Sequence, residues 1–225
     1  GQMQYGIPSY RLPRDVVNKE AEYLKTAGVK VETRCCISHP MDLGKEYDAV
    51  LMAIGTHDGV KLPMEGNDLS GVLKSSDFLR DASIGQKTGM GENVVILGGG
   101  NVAFDCARTA VRLGASKVDL ACLEDKPNML ADEEEISQAA EEGVEIHPSS
   151  TFERICGTKK VRGVEFCKVK KFSFDENHRA VIEKDQDSSY VIEADTVIFA
   201  VGQRPAIGEE AGLTLGRGNS IVVNE

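Results

Sequence analysis

From residue 93 onward, short continuous apolar runs alternate with segments whose apolar positions recur every three to four residues. "NVVIL" at 93–97 predicts a strand, 101–113 a helix closed by Gly114, and 117–123 a second strand. A second helix is expected over 132–142, closed by Gly143, and a third strand over 145–147. This strand–helix alternation is the pattern of a parallel sheet, one βαβαβ half of a dinucleotide-binding domain. Beyond it the helical period disappears. Residues 151–155, 161–170, a turn at "DENHR", and segments around Val181 and 190–192 predict a short antiparallel meander.

The first ninety residues are mixed. "PRDVVNKEAEYLKTAG" at 13–28 carries apolar positions at helical spacing and stops at Gly28. "VKVETRCCI" at 29–37 reads as a strand, and "EYDAVLMAIGT" at 46–56 as a strand buried on both faces. "SSDFLRDA" predicts a short helix capped by Ser75 or Ser76. A polar, Gly-rich stretch, "GQKTGMGEN", marks a domain boundary near residue 90. "ADTVIFAVGQRPA" at 194–206 echoes 46–56, as a buried strand ending in Ala200-Val201-Gly202.

The 225 residues suffice for one large or two small domains, and 41% hydrophobic content excludes a disordered chain. A net charge of −10 argues against nucleic acid or an anionic membrane surface as partner. No apolar run approaches the roughly 20 residues of a spanning helix, and a cytoplasmic location is expected. Six cysteines contain no C-x-x-C pair, so no metal or cluster site is expected within the chain. Cys106, Cys122 and Cys167 fall in apolar stretches and read as buried thiols. The four histidines lie in loops or at strand ends and read as surface residues.

Chemistry concentrates at Gly98-Gly99-Gly100-Asn101-Val102-Ala103, which fits G-x-G-x-x-A between strand and helix. Gly98 permits the tight turn, Gly100 lets backbone approach a pyrophosphate, and Ala103 allows close helix–strand packing. The helix starting there aims its amides and positive dipole end at the phosphates. At the end of the second strand, Glu124 stands 26 residues beyond Gly98, where an acid accepts the adenosine ribose hydroxyls. A carboxylate 4 Å from a 2′-phosphate would cost up to about 4 kcal/mol per unit charge at an effective dielectric near 20. NAD(H) is therefore expected in preference to NADP(H), with Lys126 the one nearby dissenting cation.

Six motifs, "QYGIPSYRLPRDVV", "EYDAVLMAIGT", "VVILGGGNVAFDCARTAVRLGA", "PNM", "EEGVEI" and "ADTVIFAVGQRP", occur in the order found in the glutamate synthase small (beta) chain and related electron-input flavoproteins. The chain resembles that family over essentially its whole length. The resemblance implies an α/β fold in which a Rossmann-like NAD(P)-binding domain, residues 90–195, is inserted into a partial FAD-type domain of residues 1–89 and 196–225. It implies electron flow from NAD(P)H to FAD and onward to iron–sulfur centres or a partner subunit. It also implies that the strand-end turns holding Ala53 and Gly55, and Val201 and Gly202, lie near the cofactors.

Departures from the family pattern shape the expectation further. The FAD glycine fingerprint and the later Gly-Asp motif are not in this sequence, so the chain reads as an interior piece that is inactive alone and binds FAD poorly. Arg11 and Arg14, which flank flavin in the family, are then only surface charge. Where NADPH-using members carry arginine pairs, this chain has Leu123-Glu124 and Glu133-Glu134. Hydride transfer from nicotinamide to flavin needs no side-chain acid or base, so no catalytic residue is expected. An alternative of another class is a non-catalytic NAD-binding regulatory module. A disulfide reductase with the same two-domain layout would need the C-x-x-C this chain lacks.

Overall fold

The computed structural model describes residues 1–176 and 180–223. Two compact units make up the chain: Gly1–Asp58 with Gln203–Glu225, and Gly59–Gly202. The two-residue strands β1 (Asp58–Gly59) and β10 (Gln203–Arg204) stand where the chain leaves the first unit and re-enters it.

The larger unit is built on a parallel sheet of five strands in the order β2-β9-β3-β4-β5: Val72–Lys74, Thr196–Phe199, Asn93–Leu97, Lys117–Ala121 and Glu145–His147. Successive strand residues point to opposite faces, and both faces of β3 are covered. Val94 and Ile96 enter a core with α2 (Ser75–Ser83), α3 (Asn101–Arg112) and Ala139 of α4 (Glu133–Glu141). Val95 and Leu97 join the other core, with Ile155, Val164, Phe166 and Ile192 from an antiparallel meander. The meander comprises β6 (Ser150–Gly157), β7 (Val161–Phe174) and β8 (Ala180–Glu193). This double burial is why the strand reads as an unbroken apolar run.

The βαβαβ order and meander expected from periodicity are present, with element ends shifted by a few residues. The segments around Val181 and 190–192 form one long strand, β8. Residues 177–179 of the "DENHR" turn, including His178, lie outside the described residues.

The compact unit reaches beyond residue 90, where composition suggested a boundary, and beyond residue 195, where the family resemblance implied one. β9 pairs with both β2 and β3, for example Val197 with Val72 and Val95. This puts residues 196–199 inside the sheet, between β2 and β3, and residues 72–74 at its edge.

In the smaller unit, helix α1 (Arg14–Thr26) forms as expected but buries none of its residues. Arg14 does more than carry surface charge: its guanidinium donates to the Met3 and Ile7 carbonyls, 2.7 Å each, fastening the preceding turn to the helix. The strands expected at 29–37 and 46–56 are absent, and Leu51 is 90% exposed. A buried strand needs neighbours for its backbone donors and acceptors, and no described strand runs beside these residues. Nor do the two serines cap α2. Lys74 is its N-cap residue, Ser76 Oγ accepts from the Gly59 N–H at 3.1 Å, and Ser75 is buried.

Candidate nucleotide site

The site is built where β3 gives way to α3. Leu97 ends the strand, Gly98 turns at φ +135°, and Gly100 serves as the N-cap residue of α3 with an extended backbone. Gly98 N–H donates to the Ala121 carbonyl of β4 at 2.9 Å, and Ala200 N–H donates to the Leu97 carbonyl at 2.8 Å. The strand-end segment Ala200-Val201-Gly202 therefore runs beside the glycine turn. A Cβ on Gly98 would stand 2.4 Å from the Ala200 carbonyl oxygen, so close approach as well as conformation requires glycine there.

The other two glycines have different neighbours. A Cβ on Gly99 would meet Cys122 Cβ at 2.7 Å and Glu124 Oε2 at 3.0 Å, whereas one on Gly100 would meet nothing within 4 Å. The turn is thus closed on the β4 side and open at Gly100. No side chain caps α3, which leaves its leading amides for an anionic ligand. Ala103 is fully buried under the turn, and Val102 packs against the same core. These features fit a dinucleotide pyrophosphate: Gly99, Gly100, Asn101 and Val102 would present backbone to it.

Glu124 is fixed by its own main chain. Its carbonyl accepts from the Ser149 N–H at 2.8 Å, and the adjacent Cys122 carbonyl accepts from the Ser150 N–H at 2.8 Å. The carboxylate of the half-buried Glu124 lies beside Gly99. Burial, reinforced by the Glu124 charge, pushes the Cys122 thiol up to about 12, so it stays protonated at neutral pH.

Contacts that spacing could not single out tie together the elements around the turn. Asn101 Nδ2 donates to Asp132 Oδ2 at 3.0 Å, and the Asp132 N–H returns to Asn101 Oδ1 at 2.9 Å, joining the start of α3 to the N-cap residue of α4. Arg108, buried on α3, donates to Glu135 at 2.6 Å and to Glu142 at 2.9 and 3.1 Å. Both links join residues some thirty positions apart, a separation at which sequence carries no pairing signal. Asp195 accepts from the Glu92 and Asn93 N–H groups at 2.9 and 3.0 Å and anchors the entry to β3.

His147 is not a free surface residue. Its Nε2 lies 2.8 Å from Oδ1 of the buried Asp119, whose other oxygen meets Lys117 at 3.2 Å. Asp119, Glu145 and His147 are close enough to hold a cation, but Lys117 Nζ already sits 3.2 and 3.7 Å from the two carboxylates.

Of the residues singled out from sequence, Gly98–Ala103, Glu124, Val201 and Gly202 all fall within the larger unit. Ala53 and Gly55 belong to the smaller one, exposed, with Gly55 at φ +65°.

Comparison with known proteins agrees with this architecture. The chain is 35% identical to the NADPH-Fe(3+) oxidoreductase subunit beta of Geobacter sulfurreducens over 99% of its length. It is 32% identical to the glutamate synthase [NADPH] small chain of Escherichia coli over 91%. The chain spans 35% and 47% of those relatives' lengths. Among solved structures, FprA of Mycobacterium tuberculosis in complex with NADPH shares the fold, with TM-score 0.80 and 17% identity, over 100% of this chain and 66% of that one. Residues 11–225 match the pyridine nucleotide-disulphide oxidoreductase family, and the chain belongs to it.

Proposed function

We propose that this chain is the nicotinamide-dinucleotide-binding portion of a flavin-dependent electron-transfer enzyme of the glutamate synthase small-chain type. In this reading it binds NADH in preference to NADPH and serves electron delivery through FAD to iron–sulfur centres or a partner subunit. The observation that carries the nucleotide assignment is the position of Glu124. Its carboxylate lies against the Gly99 turn, where it would accept the two adenosine ribose hydroxyls and oppose a 2′-phosphate. The names of the relatives specify NADPH, so the preference for NADH rests on this acid together with Leu123 and the Glu133-Glu134 pair, which stand in place of the family's arginine pairs.

When bound together, the nicotinamide and flavin rings supply the hydride chemistry themselves. The residues of this chain bind, orient and neutralise. The open Gly100 backbone and uncapped α3 amides would meet the pyrophosphate, Glu124 would fix the adenosine ribose, and the Asn101–Asp132 pair keeps the α3 entrance rigid. Calorimetric titration with NADH and with NADPH at one moderate salt concentration tests the reading. The expected result is tighter NADH binding that weakens in Glu124→Arg while NADPH binding strengthens. Tighter NADPH binding by the unaltered chain refutes the preference, and binding of neither refutes the nucleotide site.

A further inference from the structure

Away from the glycine turn, β4 and β5 at one edge of the parallel sheet carry a second cluster of chemistry. The two strands run in register, Asp119 beside Glu145 and Ala121 beside His147. Residues two apart on a strand share a face, so Lys117, Asp119, Glu145 and His147 stand on one side of the sheet. The meander packs on that side: Ala121 belongs to the same core as Phe166, and the Tyr190 ring lies 6.5 Å from the His147 ring.

The donor atoms converge. His147 Nε2 lies 2.8 Å from Asp119 Oδ1 and 3.8 Å from Glu145 Oε1, and one ligand atom of each residue falls within 4.8 Å of the other two. Nitrogen and oxygen ligands held tetrahedrally about 2.05 Å from a zinc ion stand about 3.3 Å apart, inside that span. The side chains of Asp119, His147 and Glu145 are 1%, 18% and 60% exposed, so the set runs from the sheet interior to solvent and leaves an ion a way in.

Charge at this point is out of balance. Lys117 Nζ stands 3.2 Å from Asp119 and 3.7 Å from Glu145, one ammonium between two carboxylates. Half of the Lys117 side chain is exposed, so it can swing into water, whereas the Asp119 carboxylate is fixed on an interior strand. A buried carboxylate left without a cation is costly. A dication beside a neutral imidazole would balance both carboxylates, which Lys117 alone does not.

We propose that Asp119, Glu145 and His147 form a binding site for a divalent transition-metal ion of the zinc class, with Lys117 as the competing cation. One imidazole and two carboxylates leave a fourth position for water, and the nitrogen ligand selects zinc over magnesium or calcium, which take oxygen. No sulfur ligand takes part, so cysteine spacing gives no sign of this site. The bound ion would clip the edge strand β5 to β4.

Calorimetric titration of the chelator-treated 225-residue chain with zinc chloride tests the site. Cys35→Ser/Cys36→Ser serves as the background, because those exposed thiols can take zinc themselves. The expected result is one zinc per chain, bound about tenfold more tightly in Lys117→Ala and at least about tenfold more weakly in His147→Ala and in Glu145→Gln. Cobalt(II) in place of zinc should give weak visible bands without the intense near-ultraviolet absorption of a thiolate ligand. No zinc binding by either the background chain or its Lys117→Ala form overturns the site. So does a cobalt spectrum dominated by thiolate absorption, or zinc binding that His147→Ala leaves unchanged. Glu145 is exposed, so Glu145→Gln keeps the test open if His147→Ala does not fold: unchanged zinc affinity in that variant also overturns the site.

Discussion

Gly99 and Glu124 are in such close register that one added carbon would separate them: a Cβ on Gly99 would stand 3.0 Å from Glu124 Oε2 and 2.7 Å from Cys122 Cβ. The glycine at this position lets the strand end bearing the acid close onto the turn. The middle glycine of the motif is therefore a spacing residue between the turn and the end of β4.

The three glycines should separate stability from binding. Gly98→Ala meets the Ala200 carbonyl at 2.4 Å with φ +135°, and should cost about 2 kcal/mol or more in urea unfolding. Gly99→Ala should cost about 1–3 kcal/mol and also displace Glu124, weakening NAD⁺ binding. Gly100→Ala has open space and negative φ, so stability should stay within about 0.5 kcal/mol. Its effect should appear as at least tenfold weaker dinucleotide binding by calorimetry, because the methyl group would occupy the pyrophosphate's approach. A Gly100→Ala protein that binds normally would remove the phosphate from this turn.

How much of this was legible depends on whether the information is local. The strands and helices from Asn93 to His147 follow from period and from Gly114 and Gly143, because each element's pattern is complete in itself. The strands expected at 29–37 and 46–56 have the right composition, but a strand is decided by what pairs with it, and composition does not report that. The same gap hid the place of β9 between β2 and β3. That place depends on backbone register between segments far apart in sequence.

Thiol labelling should rank the cysteines by environment. Burial pushes the Cys106 thiol well up and the Cys122 thiol to about 12, so almost no thiolate is present at pH 7. Cys35 and Cys36 are exposed. A chromogenic disulfide reagent should therefore consume Cys35 and Cys36 at least a hundredfold faster than Cys106 and Cys122, as read by mass spectrometry of quenched samples. Fast labelling of Cys122 would mean that the β4 end does not close onto Gly99.

Acid should release the clamp between α3 and the end of α4. Hydrogen bonds from Arg112, aided by Arg108, hold the Glu142 carboxyl down to about 2, against an ordinary value of 4.5. The unfolded chain therefore takes up this proton first as pH falls, so the stabilisation is complete above about 4.5 and is lost between there and about 2. Other carboxylates, including Asp195 and Glu165, are also held low, so total acid sensitivity does not isolate this one. The comparison with Glu142→Gln does. The variant should unfold at lower urea concentration than the unaltered chain at pH 7, and the difference should shrink steadily as the pH is lowered from 5 to 3. Glutamine cannot be protonated there, so the variant's own midpoint should fall less steeply over that interval. A difference that stays constant with pH would mean that Glu142 acts through packing and that its charge contributes nothing to the contact with Arg108 and Arg112.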